Sequence, residues 1–296
     1  MKKVSLKTGA LSATILFICL LSFIFKDSFE AVPLVDYKGV MEDAPLSVHG
    51  VDVSQGAATL IKTRSQNVLI DAGERCNGRD LLNYLKGEGA ESLDILFITH
   101  PHSDHYGSVI DLLDEISIKK AVLPSVDEAL EIDDILWQCM LSKLYEKGTE
   151  VCFADKKEEY YLGDNVKMEL LGPFAENPKN LNEISLCFKI AFGSTTFLIT
   201  GDGEKQVEKA LLDEDISTDV LFAGHHGSKT SSNEDFLKKA APSCSFISVG
   251  KDNPHGLPDR VVLQRLSEWG EIFRTDLDGS VVFLSDGRNI KAVKEK

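Results

Sequence analysis

Leu93-Asp94-Ile95-Leu96-Phe97-Ile98-Thr99-His100-Pro101-His102-Ser103-Asp104-His105 runs an apolar segment straight into three imidazoles and a carboxylate. The apolar half is short and bounded by polar residues, and it reads as a buried strand. Histidine is scarce, with 7 in 296 residues, so three of them in one turn-forming stretch call for a chemical reason. His100 and His102 alternate about Pro101 at the mouth of an extended strand and therefore point the same way. Asp104 and His105 follow once the chain turns, which makes two ligand pairs. Imidazole nitrogen combined with carboxylate oxygen suits Zn²⁺, Mn²⁺ or Fe²⁺, and no cysteine lies in the cluster to build a closed thiolate site. The segment predicts an open, hydrolytic metal site held by His100, His102, Asp104 and His105.

Outward from this stretch, short strands and helices alternate with no linker between them. Strands are expected at Val48 to Val53, Ala57 to Lys62, Asn67 to Ile70, Lys120 to Leu123, Val151 to Phe153, Val166 to Leu171, Ile184 to Phe192 and Thr195 to Thr200. The last third adds strands at Val220 to Phe222 and Cys244 to Val249, and near Ile272 and Val281. Helices are expected at Arg79 to Lys86, Gly107 to Ile116, Asp127 to Glu146, Glu204 to Leu212, Asn233 to Ala240 and Pro258 to Trp269. Mixed strands with helices among them imply sheets covered by helices, an α/β (α+β) architecture.

Three further groups stand at strand ends. Asp202 closes Thr195 to Thr200 in Thr200-Gly201-Asp202-Gly203, where a carboxylate flanked by glycines can bridge two metals; capping the helix from Glu204 is the other job open to it. His225 and His226 follow Val220-Leu221-Phe222-Ala223. His225 is the expected ligand of the second ion, which leaves His226 to orient substrate or pass a proton, and the two roles can be reversed. Ser228 and Lys229 come next, a hydroxyl and an ammonium able to hold an anionic group. Asp71 closes Val68-Leu69-Ile70 and is placed to hydrogen-bond a ligand histidine and fix its tautomer.

The bulk composition, 43% hydrophobic and 27% charged, is that of a folded globular chain. The net charge of −15 argues against tight nonspecific binding of a polyanion, because phosphate contacts need Lys and Arg. A phosphodiester substrate stays open, since two divalent ions supply local positive charge. Cys76, Cys139, Cys152, Cys187 and Cys244 are scattered singly and form no disulfide framework. Lys2, Lys3 and Lys7 precede an apolar run from Ala13 to Phe25, the pattern of a signal or transmembrane anchor over residues 1–26. Ser28-Phe29-Glu30-Ala31 carries the bulky and charged residues that a cleavage site avoids. The expectation is an uncleaved single anchor in the cell membrane, a stalk over 27–45 and an extracytoplasmic catalytic domain over 46–296, with secretion after cleavage as the alternative.

Val51-Asp52-Val53-Ser54-Gln55-Gly56, Ile70-Asp71-Ala72-Gly73, the HxHxDH cluster with Gly107, Asn182-Glu183-Ile184-Ser185-Leu186, Thr200-Gly201-Asp202, His225-His226-Gly227-Ser228 and Thr275-Asp276-Leu277-Asp278-Gly279 occur in this order. Together they resemble the metallo-β-lactamase fold superfamily, and more closely the hydrolase domain of competence-type (ComEC-like) DNA-uptake proteins. The resemblance implies an αββα four-layer sandwich with a dinuclear centre between the sheet edges, and a phosphodiesterase or nuclease-like reaction on a small or polymeric phosphodiester, nucleic acid included. It also implies that Asp52, Asn182 and Ser185 support the ligands from behind. The cofactors it implies are two divalent ions, Zn²⁺ or Mn²⁺, one on His100, His102 and Asp202 and the other on Asp104, His105, Asp202 and His225. Asp104 would then be catalytic as well as a ligand, and His226 would protonate the leaving group or steady the oxyanion. The sequence departs from the family pattern at Ser54, at Ala57 and at Leu257, which stands where a histidine is usual and leaves His255 as the nearest imidazole for substrate. The segment from Asn182 to Leu186 also lacks a histidine. Competing readings are a lactonase or lactamase and a non-catalytic binding protein; no partner protein is deducible.

Overall fold

The computed structural model describes residues 44–126, 130, 132, 134–172 and 178–296. The expected anchor and nearly all of the expected stalk lie outside the described residues. Among those described, no helix is long and apolar enough to cross a membrane.

Strands β1 (Leu46–Gly50), β2 (Thr59–Thr63), β3 (Asn67–Ile70), β4 (Ser92–Phe97), β5 (Ser117–Pro124) and β6 (Glu150–Ala154) join β14 (Val281–Ser285) and β15 (Ile290–Lys294) in an eight-stranded sheet ordered β15-β14-β1-β2-β3-β4-β5-β6. A seven-stranded sheet holds β7 (Glu158–Tyr161), β8 (Lys167–Gly172), β9 (Cys187–Phe192), β10 (Thr195–Ile199), β11 (Val220–Phe222), β12 (Cys244–Ile247) and β13 (Glu271–Arg274), ordered β13-β12-β11-β10-β9-β8-β7. β3 to β6 and β10 to β13 run parallel, and the remaining neighbours are antiparallel.

Successive side chains on a strand point to opposite faces, and on central strands such as β3 and β11 both faces are buried, which is why those strands read as unbroken apolar runs. Ile61, Val68, Ile70, Phe97, Phe197, Phe222, Phe246 and Phe283 fill the layer between the sheets. Their neighbours Leu60, Leu69 and Leu96 turn outward against Leu81 and Leu85 of α1 (Gly78–Gly87), Leu112 of the helix Val109–Glu115 and Met140 of the helix Ile135–Glu146. On the other sheet Leu198, Leu221 and Ile247 face Val207, Phe236 and Val262 of the helices Lys205–Leu211, Glu234–Ala240 and Arg260–Ser267. The result is two stacked sheets with helices on both outer faces.

Several element boundaries differ from expectation; the strand expected over Val48 to Val53, for example, runs Leu46–Gly50. The helix expected over Gly107 to Ile116 is split into Ser103–Tyr106 and Val109–Glu115, with Gly107 and Ser108 between them. The strand expected from Ile184 begins at Cys187, after a 3₁₀ turn Leu181–Ile184. The helix expected from Asp127 starts at Ile135, capped by the Asp134 carboxylate accepting from Leu136 N–H; residues 127–129, 131 and 133 lie outside the description.

Candidate metal centre

The loops leaving β1, β3, β4, β10, β11 and β12 all open at one end of the two sheets, and each brings a polar group there. β4 delivers His100 to His105, β3 delivers Asp71, β10 delivers Asp202, and β11 delivers His225 and His226. Clustering of functional groups beyond the carboxyl ends of parallel strands follows from how helices pack back onto such sheets. Backbone bonds tie the loops together: Asp71 N–H donates to Phe97 O at 2.8 Å, Ala72 N–H to His105 O at 2.6 Å, Leu186 N–H to Thr99 O at 2.9 Å and His225 N–H to Gly201 O at 3.1 Å.

Asp202 sits at the centre. Its Oδ1 is 3.3 Å from His105 Nε2, while its Oδ2 lies 3.8 Å from His100 Nε2, 3.8 Å from His225 Nε2 and 3.6 Å from His226 Nε2. Two sets of potential ligand atoms are tight enough to share an ion: His100, His105 and Asp202, and Asp104, His105 and His226. His102 joins the first side through Nδ1, 2.8 Å from His100 Nε2. His225 and His226 both adopt φ of 51°, an unusual conformation for two consecutive non-glycine residues. The left-handed turn sends the two rings to different places. His226 is buried beside Asp104 at 3.2 Å, and His225 is partly exposed beside Glu204. The geometry therefore favours the reversed assignment, with His226 rather than His225 grouped with Asp104 and His105.

The protonation pattern tests whether these residues suit a cation. His226 Nδ1 lies 2.9 Å from the Ser248 carbonyl, which can only accept, so Nδ1 carries the proton. His105 Nδ1 donates in the same way to Asp71 Oδ2 at 2.7 Å. The opposite nitrogens, His105 Nε2 and His226 Nε2, are buried without a hydrogen-bond partner. Each faces a carboxylate oxygen, Asp202 Oδ1 at 3.3 Å and Asp104 Oδ2 at 3.2 Å, so the position between ring and carboxylate suits a positive charge, whether a proton or a metal cation. Burial alone would lower both histidine pKa values, yet Asp202 with Asp71 raises that of His105 well above its ordinary value, and Asp202 with Asp104 raises that of His226. Burial would likewise raise the Asp202 and Asp104 carboxyls, but the surrounding imidazoles hold both below the usual range. His100, with the same burial and less compensation, is pushed well down, its Nδ1 resting 3.0 Å from Thr99 Oγ1. The donor set of imidazoles and carboxylates, and the orphaned nitrogens facing carboxylates, fit divalent ions of the Zn²⁺ or Mn²⁺ type.

The remaining expected residues fall in different places. Asp71 orients His105 and accepts from both Thr99 N–H and Thr99 Oγ1. Asn182 Nδ2 approaches Glu204 Oε1 at 3.5 Å, and Ser185 Oγ is buried with no partner. Asp52 does not stand behind a ligand: its side chain accepts from Ser54 N–H and meets Lys296, because the loop after β1 turns it toward the chain's end. Ser228 Oγ bonds Thr230 Oγ1 at 3.0 Å, while Lys229 and His255 are exposed. Leu257 packs on the helix-covered face of the seven-stranded sheet and Asn253 clamps the turn around it, so His255 projects from the tip of a closed loop. Glu204 and the Ser248 carbonyl were not expected at the site. The first could have been suspected as a carboxylate two residues beyond Asp202; the second, a backbone group, leaves no mark in sequence.

The family model described as the metallo-beta-lactamase superfamily matches residues 51–251, which span every ligand-bearing loop. The chain belongs to the metallo-β-lactamase superfamily. Among curated members, ComE operon protein 3 of Bacillus subtilis is 28% identical over 256 residues, covering 79% of this chain and 32% of that protein. Recombination protein 2 of Haemophilus influenzae is 28% identical over 257 residues, covering 84% of this chain and 30% of its own length. The chain thus spans about a third of the curated relatives it matches. Solved metallo-β-lactamase folds similar to this one include YhfI of Bacillus subtilis, with TM-score 0.54 at 15% identity over 77% of this chain and 96% of that one. The diiron β-hydroxylase CmlA of Streptomyces venezuelae gives TM-score 0.56 at 14% identity, over 81% of this chain and 54% of that one. At such identities these structures speak for the fold alone.

Proposed function

We propose that this chain is a two-ion phosphodiesterase or nuclease-like hydrolase of the metallo-β-lactamase superfamily, held outside the cytoplasmic membrane by residues 1–26. The observation that carries the reading is Asp202, a buried carboxylate whose two oxygens face imidazoles from both ligand sets. A bridging carboxylate is what two adjacent ions need. His100, His102 and Asp202 would hold one ion, and Asp104, His105, His226 and Asp202 the other. The chemistry that bound divalent ions supply is activation of water at neutral pH and neutralisation of charge developing on the substrate's oxygens.

The protein's own groups do the rest. Asp71 and the Ser248 carbonyl keep His105 and His226 in the tautomer that presents Nε2 to the centre. Lys229, exposed beside the His225-His226 turn, offers an ammonium for a substrate phosphate, and His255 offers an imidazole at the neighbouring loop tip. The curated relative named Recombination protein 2 supports a phosphodiester over a lactone or lactam. The basic then apolar start of the sequence supports the membrane anchor.

The test is cleavage of bis(p-nitrophenyl) phosphate by the purified chain with Mn²⁺ or Zn²⁺, against nitrocefin and a lactone panel. Phosphodiester turnover that disappears on chelation and in His102→Ala is expected. Turnover of nitrocefin or lactone alone would replace the substrate assignment, and full activity in His102→Ala would overturn the site.

A further inference from the structure

The two halves of the centre are unequally supplied. Asp104 and His226 crowd one side together with His105, whereas the other side has of its own only His100, with His102 beside it, and otherwise relies on Asp202 and on the His105 that both sets share. Ions of this class take about four ligands. Ser185 stands next to that thinner side, since the following residue bonds Thr99 O, but it brings only a hydroxyl, buried and unpaired. One imidazole whose Nε2 reaches Asp202 is not yet used, that of His225 at 3.8 Å.

His225 is held in a defined pose. Its Nδ1 lies 3.3 Å from Glu204 Oε1 and 3.0 Å from Thr230 Oγ1, which leaves Nε2 free toward Asp202. The same Glu204 oxygen accepts from Asn182 Nδ2 at 3.5 Å. Glu204 occupies the N-cap position of the helix Lys205–Leu211 yet makes no side-chain cap bond, so its carboxylate is not spent on the helix. The left-handed φ of 51° at His225 is the kind of backbone strain that persists where surrounding contacts fix a functional geometry.

We infer that Asn182 and Glu204 form a positioning relay that makes His225 the third imidazole on the ion held by His100 and His102. The inference rests on the two-ion reading and deepens it. Glu204 and Asn182 act through His225 and are positioning residues; His225 is the ligand. A carboxylate behind a ligand histidine raises its basicity and fixes its ring, and removal of such a partner weakens metal binding roughly 10- to 100-fold.

The experiment is Mn²⁺ titration of the chelator-stripped full chain, read as ions per chain by elemental analysis, as the affinity of each ion, and as the spin-coupled signal of paired Mn²⁺ by electron paramagnetic resonance. His225→Ala and Glu204→Ala are expected to keep one ion and to weaken the other roughly 10- to 100-fold, with isolated-Mn²⁺ signal replacing the coupled one. Asn182→Ala shifts the same ion by less. Glu204→Gln, which keeps an oxygen for His225 Nδ1–H and Asn182 but loses the charge, is expected to recover only part of the loss, and thermal unfolding of each metal-free variant shows that the fold is intact. Two ions bound as tightly in His225→Ala as in the parent would overturn the relay and leave the two-ion centre standing. A parent chain that takes up no ion overturns both, because His225 then has nothing to hold. If the parent takes up one ion, release by His225→Ala and not by His226→Ala sustains the assignment, and the opposite pattern ends it.

Discussion

Asp71 shows how much of the centre depends on residues that never touch an ion. It accepts three hydrogen bonds, from Thr99 N–H at 2.7 Å, Thr99 Oγ1 at 2.8 Å and His105 Nδ1 at 2.7 Å, and burial pushes its carboxyl up while these partners pull it down. Its φ of 60° is a conformation that Asn also tolerates, so Asp71→Asn should fold and yet lose the charge behind His105. Metal affinity roughly 10- to 100-fold weaker is expected by calorimetric titration, and an unchanged affinity would remove Asp71 from the site. His49, distant from the centre, makes a different prediction. Buried and contacted by Tyr84 OH at 2.9 Å and Ser47 Oγ at 2.8 Å, it is pushed down to about 3 by burial and by the nearby Lys62 charge. In the unfolded chain it titrates near 6.5, so between that pH and about 3 the unfolded state binds the extra proton. This one group therefore leaves stability untouched above 6.5 and removes about 1.4 kcal/mol per pH unit as pH falls through the window. His49→Gln, whatever its offset at neutral pH, should show a shallower loss in urea-unfolding free energy from pH 6 to pH 4; an identical slope would refute it. Residue identities at the centre were legible in the sequence because histidine is rare and strand ends are marked. The division of labour between His225 and His226 was not, since adjacent residues are separated only by the left-handed backbone that splays them.

The strands and loops explain what holds these side chains at their distances. The segment Val51 to Ala57 leaves β1 and lies across the turn that carries Asp104. Ala57 N–H donates to Asp104 O at 3.1 Å, Ser248 Oγ donates to Gly56 O at 2.8 Å, and Gly250 N–H donates to Gln55 Oε1 at 3.3 Å. One loop thus ties the HxHxDH turn of one sheet to the end of β12 in the other. Gly56 has φ of 122°, and a Cβ there would stand 2.3 Å from Asp104 O. Gly56→Ala must displace the Asp104 turn, at a cost on the order of 1–3 kcal/mol, and Asp104 moves with it. Chemical denaturation should register the stability loss, and Mn²⁺ titration a weakening confined to the ion bound by Asp104, His105 and His226. Weakening of both ions alike would mean that the loop serves only the fold. The glycine was visible in sequence, but its contact with Asp104 was not, because that contact joins segments brought together only by sheet stacking. Strands such as Val68 to Ile70 and Val220 to Phe222 were legible because both faces are buried. Glu158–Tyr161 and Ile290–Lys294 were missed for the converse reason, being sheet-edge strands rich in charged or exposed residues.

Across the whole molecule, the direction of β1 decides how the centre is presented. Leu46 pairs with Ser285, and Ser285 Oγ bonds Thr195 Oγ1 at 2.7 Å, at the start of β10. The opposite end of β10 leads to Asp202, and the opposite end of β1, Gly50, leads to the loop over Asp104. The polypeptide before residue 44 therefore joins the sheets at the pole farthest from the imidazoles. A tether there would leave the centre facing outward, where a polymeric phosphodiester could reach it without passing the anchor. The consequence is that the centre should be indifferent to the tether. The three apolar layers and every hydrogen bond named at the site are made by residues from 44 onward, so a chain beginning at residue 44 retains the buried contacts that set metal geometry. That chain should bind the same number of Mn²⁺ ions as the full protein, and its kcat/KM on bis(p-nitrophenyl) phosphate should agree within about twofold. A drop of roughly tenfold or more, with ion count unchanged, would show that residues before 44 fold back over the mouth of the site, and the outward-facing arrangement would fall.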